Sequence, residues 1–294
     1  MSGPEPLRLA PVVLVMGKGG VGKTTVAAGL AELAAHRWGR SVLVEFGDGA
    51  AGRRALGPGK ARSVEHLVIR PEEALARGAA PLFGSATIAK LVLGNFAMRP
   101  LLKAAPAVRE LAMLESVRQI AAERPGVRVV VDMPATGHGV AWLRIPRQGR
   151  DFLGAGPIYE LCDRLARELL GDAQSSIVVV TLPEPLVLEE TLELCAAIEL
   201  EARVDCVVVN RFPNAPLRQA TEELGALMDR SDSVGEAAQW VASTLASRER
   251  AREEAVAEVD ALSRRARSVV VLPLGISAPT ATETAQRLES LEVS

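Results

Sequence analysis

Residues 12–25 read VVLVMGKGGVGKTT, a short β-branched run followed by a glycine-rich turn and two threonines. The turn satisfies the pattern G-x-x-x-x-G-K-[ST] in the strand–loop–helix context that a phosphate-binding loop requires. Glycines let backbone N–H groups turn inward around phosphate oxygens, and the N-terminus of the following helix adds positive partial charge. This stretch therefore predicts an α/β fold of the P-loop NTPase type, with the loop directly after the first strand.

The residue types in this loop predict a bound nucleotide and a metal ion. We expect Lys23 to reach the β- and γ-phosphates, the Thr24 hydroxyl to hold Mg²⁺, and Thr25 to contact the α-phosphate. The remaining contacts with ATP are expected from the loop residues Gly19, Gly20, Val21 and Gly22. An ordinary glycine-rich turn with incidental lysines is the alternative interpretation, and the complete match in its context disfavours it.

Composition and charge exclude several other classes of protein. The 294 residues are 48% hydrophobic and 24% charged, which is typical of a globular protein. The net charge is −2 and no basic block stands out, so neither nucleic-acid binding nor an anionic membrane surface is indicated. Three widely spaced cysteines favour a reducing, cytoplasmic compartment. No apolar run approaches the roughly 18 residues of a spanning helix, and no signal-peptide pattern is present, so no integral membrane segment is expected.

Short, nearly continuous apolar runs alternate with helical patterns along the chain. This alternation is typical of a mostly parallel, doubly wound sheet covered by helices on both faces. The predicted strands are Pro11–Met16, Ser41–Phe46, Val127–Met133, Ser176–Thr181, Asp205–Asn210 and Ser268–Leu272. We predict one domain over residues 1–294, with a helical insertion at about 81–124. A long helix or a helical hairpin is expected over 232–267.

Lys18 directly follows the first glycine of the loop, and the segment KGGVGKTT resembles the deviant Walker A motif. That motif belongs to a family of dimeric ATPases that includes ParA, MinD, the nitrogenase iron protein and the ArsA-type ATPases. The resemblance implies that Lys18 crosses a dimer interface to the partner's nucleotide, like an arginine finger supplied in trans. A solvated loop lysine is the alternative.

A second motif narrows the resemblance to one branch of that family. The run VVVD ends in Asp132 and resembles a Walker B strand, whose carboxylate is expected near Mg²⁺. The residues that follow, 134–138 (PATGH), resemble the switch II motif of the ArsA and tail-anchored-protein-targeting (Get) ATPases, and ParA and MinD relatives lack this TGH. His138 is either part of the switch or a plain loop histidine.

Two residues near the ends of later strands resemble the adenine site of the same branch. Asn210 ends the run VVVN, and an amide side chain can pair with adenine because it offers both a donor and an acceptor. A cap after a strand is the alternative role. Pro273 is similar to the family's proline at a late strand end, which lines the adenine pocket. Together these motifs identify the chain as resembling an ArsA/Get-type ATPase.

Switch I departs from the family pattern. The family has D-P-A-H after its second strand, with the aspartate orienting the attacking water, whereas this chain has EFGDGA at residues 45–50. Asp48 falls on the family's aspartate, while Glu45 is a second candidate carboxylate inside the strand. An Asp between glycines is also favourable turn chemistry. Lys18, Lys23 and Asp48 are thus the predicted catalytic residues.

The resemblance implies an Mg²⁺-dependent ATPase that opens and closes a homodimer, or a heterodimer with a paralogue. A nucleotide-gated interaction protein with little hydrolysis, and a ParA/MinD-like positioning ATPase, are the alternatives. A hydrophobic cluster within the insertion suggests either a groove for a hydrophobic protein client or core packing: Leu91, Val92, Leu93, Phe96, Met98, Leu101 and Leu102. Buried structural thiols are the favoured interpretation of Cys162, Cys195 and Cys206.

Overall fold

The computed structural model describes residues 7–57, 63–75, 106–135, 139–214, 218–230, 232–275 and 279–290. Its seven strands form one sheet in the order β3-β2-β4-β1-β5-β6-β7, and all of its pairings are parallel. The strands are β1 Val12–Met16, β2 Ser41–Phe46, β3 Val64–Ile69, β4 Arg128–Asp132, β5 Ser175–Thr181, β6 Val204–Phe212 and β7 Ser268–Pro273. The predicted α/β class and the parallel sheet are confirmed.

Helices connect the strands and cover both faces of the sheet. Among the described residues they include α1 Lys23–Trp38, α2 Ala50–Leu56, α3 Pro106–Ala122, α4 Gly139–Leu153, α5 Pro157–Glu168, α6 Pro185–Glu199, α7 Arg218–Met228, α8 Ser233–Leu262 and α9 Ala281–Ser290. Of the two alternatives for 232–267, the single long helix, α8, is the one observed. No helix among the described residues combines the length and apolar character that crossing a membrane would require.

The central strand explains why the apolar runs are continuous. Every residue of β1 is buried, because side chains at alternate positions enter two different hydrophobic cores. Leu14 and Met16 belong to the core beneath α3 and α4, while Val13 and Val15 pack on the face that α1 covers. A strand covered on both faces has no polar side, so its sequence shows no alternation.

Strand β3 was not predicted from the sequence. It pairs only with β2, so it forms one edge of the sheet, and its sequence VEHLVI carries Glu65 and His66 among the apolar residues. Most of its side chains are only half-buried. An edge strand needs no continuous apolar run, and this segment therefore lacked the signal that identified the other six.

Helix α3, Pro106–Ala122, lies within the segment predicted as a helical insertion. Its residues Leu114 and Val117 are fully buried in the same core as β1, so this part of the chain is a crossover helix packed on the sheet. The apolar cluster predicted as a client groove, Leu91 to Leu102, lies outside the described residues.

The three cysteines are buried and form no disulfide. Burial raises the pKa of Cys195 to about 12 and also raises the pKa of Cys162. A thiol that stays protonated is a poor metal ligand and a poor nucleophile, so these environments agree with the structural role expected from the sequence.

Replacing Leu114 by Ala tests whether α3 is part of the sheet's core. The side chain is fully buried, so we expect Leu114→Ala to lower the free energy of unfolding by about 2–5 kcal/mol. Leu200→Ala is the control, because Leu200 is 69% exposed and its loss should change stability by less than about 0.5 kcal/mol. Urea unfolding measures both, and equal midpoints for the two variants would show that α3 does not belong to the core.

Candidate nucleotide site

A cavity of about 380 Å³ opens at the carboxyl ends of β1, β2 and β4. Strands β4 and β1 are neighbours and β2 pairs with β4, so the residues that end these strands meet at one edge of the sheet. Ligands of parallel α/β sheets bind at this edge. The cavity is lined by Gly19, Gly20, Gly22, Lys23, Thr24, Glu45, Phe46, Asp132, Met133, Pro134 and Ala135.

The loop reaches the first turn of α1 through Gly22. This residue has φ of 93°, in the left-handed region, and a Cβ there would lie 2.4 Å from Asn210 Nδ2. Any other residue would be strained in its backbone and would collide with the amide. Glycine at this position lets the backbone turn directly into the helix, whose unpaired N–H groups then face the cavity.

Lys23 is buried at the base of the cavity. Its Nζ donates a hydrogen bond to the carbonyl oxygen of Lys18, 2.8 Å away, so the ammonium lies across the loop. Burial lowers the pKa of Lys23, and the nearby charge of Asp132 acts in the opposite direction. The loop amides and this ammonium together place positive charge where the sequence predicts the β- and γ-phosphates.

Thr24 and Asp132 meet beside Lys23. The Thr24 hydroxyl donates to Oδ2 of Asp132 at 2.6 Å, although 108 residues separate the two. The other carboxylate oxygen, Oδ1, is buried and has no hydrogen-bond partner among the described residues. Burial raises the pKa of Asp132 to about 6, while the Thr24 hydrogen bond and the Lys23 charge oppose this rise and the Glu45 charge adds to it.

These two residues fit a magnesium ion. Mg²⁺ takes oxygen ligands and is usually held by one or two protein groups together with water and phosphate. A buried carboxylate oxygen that lacks a partner is costly unless a cation or a donor neutralises it. The hydroxyl of Thr24 and the Oδ1 of Asp132 would supply the hard oxygen donors that such an ion requires, and their role in holding Mg²⁺ stays a prediction.

Lys18 lies on the exposed rim of the loop and does not line the cavity. Its Nζ donates to both carboxylate oxygens of Glu190 on α6, at 2.8 and 2.5 Å. About half of each side chain remains exposed. Within this chain, therefore, the ammonium is held away from the phosphate end of its own site. The ion pair with Glu190 was not predicted, because only the fold brings α6 beside the loop.

Asp48 lies at the start of α2, exposed to solvent. Its Oδ1 accepts a hydrogen bond from the backbone N–H of Ala50 at 2.8 Å, which is the turn interaction that the alternative interpretation required. It is not among the residues that line the cavity, whereas Glu45 is. The water-positioning role of Asp48 stays a prediction.

Asn210 holds the loop from the side. Its Nδ2 donates to the carbonyl oxygen of Val21 at 2.8 Å, and its Oδ1 accepts from the N–H of Arg211 at 3.0 Å. Arg211 has φ of 56°, so β6 turns sharply at this point. The contact with Val21 spans 189 residues and was not predicted. It follows from the position of β6 two strands away from β1, which the sequence alone does not give.

The remaining predicted site residues lie at the same edge of the sheet. Pro273 ends β7 opposite Phe212 of β6 and is exposed. Thr25 lies in the first turn of α1 and is half-buried. Pro134 and Ala135 line the cavity, so the predicted switch II segment begins there. Its residues 136–138 lie outside the described residues. Adenine recognition by Asn210 and Pro273, and the α-phosphate contact of Thr25, stay predictions.

Comparison with known proteins agrees with this geometry. The family model described as the CobQ/CobB/MinD/ParA nucleotide binding domain, CbiA, matches residues 12–235. The chain belongs to this family. The CbiA match extends from the start of β1 to the beginning of α8, and it includes every residue that lines the cavity. A nucleotide-binding P-loop domain is therefore confirmed.

The chain is also similar in sequence to mycobacterial proteins that are named as ATPases. The ATPase BagA of Mycobacterium tuberculosis is 29% identical to this chain over 242 residues, which cover 74% of this chain and 70% of that protein. A protein of Mycobacterium bovis whose name also describes an ATPase matches with the same identity and the same coverage. This CbiA-family chain is thus similar to ATPases along most of its length.

Asn210→Ala tests the lateral support of the loop. Removing the amide leaves the buried carbonyl of Val21 without its donor, so we expect the free energy of unfolding to fall by about 1–3 kcal/mol. Affinity for ATP and for GTP should fall together, because both nucleotides use the same loop. Titration with each nucleotide also tests adenine recognition: if Asn210 reads the base, the variant loses its preference for ATP over GTP, and if it only supports the loop, that preference is unchanged.

Asp132→Asn tests the burial of the carboxylate. Because the folded-state pKa is about 6 and the unfolded value is near 3.8, ionised Asp132 lowers the stability of the metal-free fold above pH 6, and this cost disappears as the pH falls through 6 to 4. We therefore expect the stability of Asp132→Asn relative to the natural protein to be higher at pH 8 than at pH 4 by about 2.5 kcal/mol. Urea unfolding in a chelator measures it. A difference that does not change with pH would contradict the raised pKa.

Proposed function

We propose that this CbiA-family protein is an Mg²⁺-dependent ATPase of the ArsA/Get type, whose nucleotide state opens and closes a dimer. The observation that carries the proposal is the convergence of Lys23, Thr24 and the unpaired Oδ1 of Asp132 on one cavity at the carboxyl edge of the sheet. In this arrangement the buried ammonium fits the negative phosphates of a magnesium–triphosphate complex, and the hydroxyl and the buried carboxylate fit its metal ion.

Each group has a definite role in the proposed reaction. Lys23 would exchange its bond to the Lys18 carbonyl for the β- and γ-phosphate oxygens, and the loop amides would hold the remaining phosphate oxygens. Thr24 and Asp132 would hold Mg²⁺, which when bound neutralises charge on the phosphates. Because phosphoryl transfer depends mainly on positioning and on charge stabilisation, fixed donors around the γ-phosphate supply most of what catalysis needs.

Lys18 supports the proposed dimer. Its ammonium lies on the exposed rim, tied to Glu190 and away from the cavity of its own chain. A surface ion pair of this kind contributes only about 0–1 kcal/mol, so the side chain can leave it at little cost. In the dimer, we propose, Lys18 contacts the nucleotide of the partner chain, which is a second copy or a paralogue, and completes the partner's site.

The identity of the client rests on sequence alone. The apolar segment Leu91–Leu102 suits a hydrophobic protein client, as in the ATPases that target tail-anchored proteins. A role in positioning DNA or membranes has less support, because the chain has no basic block and a net charge of −2. The dispersed, buried thiols give no support to arsenite binding, which needs several converging thiolates.

A nucleotide-gated interaction protein with little hydrolysis is the second candidate function. Asp48, on the family's water-positioning aspartate, is exposed and hydrogen-bonded to the N–H of Ala50, outside the lining of the cavity. If switch I keeps this conformation when ATP binds, the carboxylate of Asp48 does not orient the attacking water. ATP would then hold the dimer closed without being consumed quickly.

Mixing two inactive variants tests the proposed dimer and the ATPase together. Lys18→Ala keeps its own nucleotide site but supplies no lysine to a partner, whereas Lys23→Ala supplies Lys18 but loses its own phosphate contact. Each alone should hydrolyse little ATP. A one-to-one mixture should recover up to about a quarter of the natural turnover per chain, because half of the dimers are mixed and each has one complete site. Turnover of the natural protein should also rise with its concentration.

The double variant Lys18→Ala/Lys23→Ala, mixed with either single variant, is the control and should recover less than the complementary pair. No recovery in any mixture, with turnover per chain independent of concentration, would refute action in trans within a homodimer. Tight ATP binding with negligible turnover at every concentration would instead favour the nucleotide-gated interaction protein.

A further inference from the structure

Glu45 is a buried carboxylate that the proposed ATPase mechanism leaves without a role. It is the fifth residue of β2 and is only 7% exposed. In the parallel pairing of β2 with β4 it stands beside Asp132, so both side chains point to the same face of the sheet. It lines the same cavity as Lys23, Thr24 and Asp132.

One oxygen of Glu45 is fixed by two neighbours. Oε2 accepts a hydrogen bond from the backbone N–H of Gly52 at 2.8 Å and contacts Nε2 of His66 at 3.2 Å. His66 belongs to β3 and its side chain is almost as buried as that of Glu45. Oε1 receives no hydrogen bond from the described residues. The carboxylate is therefore held in one orientation with its second oxygen available.

Gly52 leaves space for this arrangement. A Cβ at this position of α2 would lie 2.5 Å from Oε2 of Glu45 and 2.6 Å from Nε2 of His66. Both distances are too short for a carbon atom, so a side chain here would displace the carboxylate or the imidazole. The close approach of α2 depends on glycine, and it places a backbone N–H where it can hold Glu45.

The charges at this edge of the sheet do not balance among Lys23, Asp132 and Glu45. Two buried carboxylates stand side by side, and Lys23 is the one lysine among the residues that line the cavity. Buried charges require partners, and Oδ1 of Asp132 has none among the described residues. A divalent cation between phosphate and these carboxylates would supply the missing positive charge, and Mg²⁺ usually keeps several of its waters in protein sites.

We propose that Glu45 is a positioning residue for the magnesium ion, accepting hydrogen bonds on Oε1 from water in the metal's coordination shell. This inference rests on the proposed Mg²⁺–ATP site and adds an acidic residue to it. His66 and the N–H of Gly52 orient Glu45, as hydrogen-bonded partners commonly orient the groups around a metal. Through its hydrogen bond with the N–H of Gly52, Glu45 would also connect the metal site to α2. Asp48 of switch I lies just before this helix, so α2 would support both the metal site and switch I.

The test measures how strongly Mg²⁺ tightens the binding of AMP-PNP, a nucleotide that is not hydrolysed. Affinity is determined by calorimetry with Mg²⁺ and again with a chelator, and the ratio is the gain due to the metal. Glu45→Gln should reduce this gain about tenfold or more, which is the usual cost of losing a group that orients metal-bound ligands. Its affinity in the chelator should equal that of the natural protein, because the phosphate loop is untouched.

Glu65→Gln is the matched control. Glu65 is the neighbour of His66 in β3, but its carboxylate pairs with Arg124 and lines a different cavity, so the gain due to Mg²⁺ should be unchanged. Gly52→Ala is the second variant, for the case in which Glu45→Gln does not fold. It keeps both Glu45 and His66 and displaces the carboxylate by its Cβ, so it should also reduce the gain.

The outcomes separate this inference from the proposed function. If the natural protein shows a gain from Mg²⁺ and neither Glu45→Gln nor Gly52→Ala reduces it, the role of Glu45 is refuted while the Mg²⁺–ATP site stands. If Glu45→Gln weakens binding equally with Mg²⁺ and with the chelator, the residue only supports the fold, which also refutes the role. If the natural protein shows no gain at all, the proposed metal site fails and the inference fails with it.

Discussion

The parallel sheet decides where this molecule can place charge. Both faces of its central strands are covered by helices, so the interior accepts almost nothing but Val, Leu, Ile and Ala there. Of the polar residues buried in the strands, Glu45, Asp132 and Asn210 lie toward the carboxyl edge, where the strands end and the loops begin, whereas Ser41, Ser175 and Asp205 lie at the opposite ends of their strands. The order β2-β4-β1 then brings three strand ends together. The cavity, its lysine and its two carboxylates all depend on that order.

Much of the fold could be predicted from the sequence because burial on both faces leaves a continuous apolar run. The five inner strands carry that run, and so does β7 at one edge of the sheet, although most of its residues are only half-buried. Strand β3, at the other edge, carries Glu65 and His66 and was not predicted. Helix α3 was recognised as helical, but its place in the core was not, because helical periodicity does not say which surface a helix covers. That Leu114 and Val117 are buried against the sheet is apparent only from the assembled structure.

The features of the site also divide into those that the sequence predicts and those that it does not. Lys23 and Thr24 were predicted because the phosphate loop is continuous in sequence, and Asp132 because a strand leads directly to it. The contacts of Asn210 with Val21 and of Lys18 with Glu190 join residues 189 and 172 positions apart. Such contacts are set by strand order and helix packing, which one sequence does not reveal. The hydrogen bond from Gly52 to Glu45 joins residues only 7 positions apart, yet it depends on how α2 packs against β2.

The ion pair between Lys18 and Glu190 also constrains any surface that docks on this rim. Both side chains are about half-exposed, so water already screens the pair and salt weakens it further. When the lysine departs, Glu190 keeps its negative charge on α6 without compensation. A docking surface that accepts the ammonium must therefore offer a cation or a hydrogen-bond donor to this carboxylate, or leave it hydrated. A docking surface must therefore complement two opposite charges, the ammonium of Lys18 and the carboxylate of Glu190. This requirement makes the rate of docking sensitive to ionic strength.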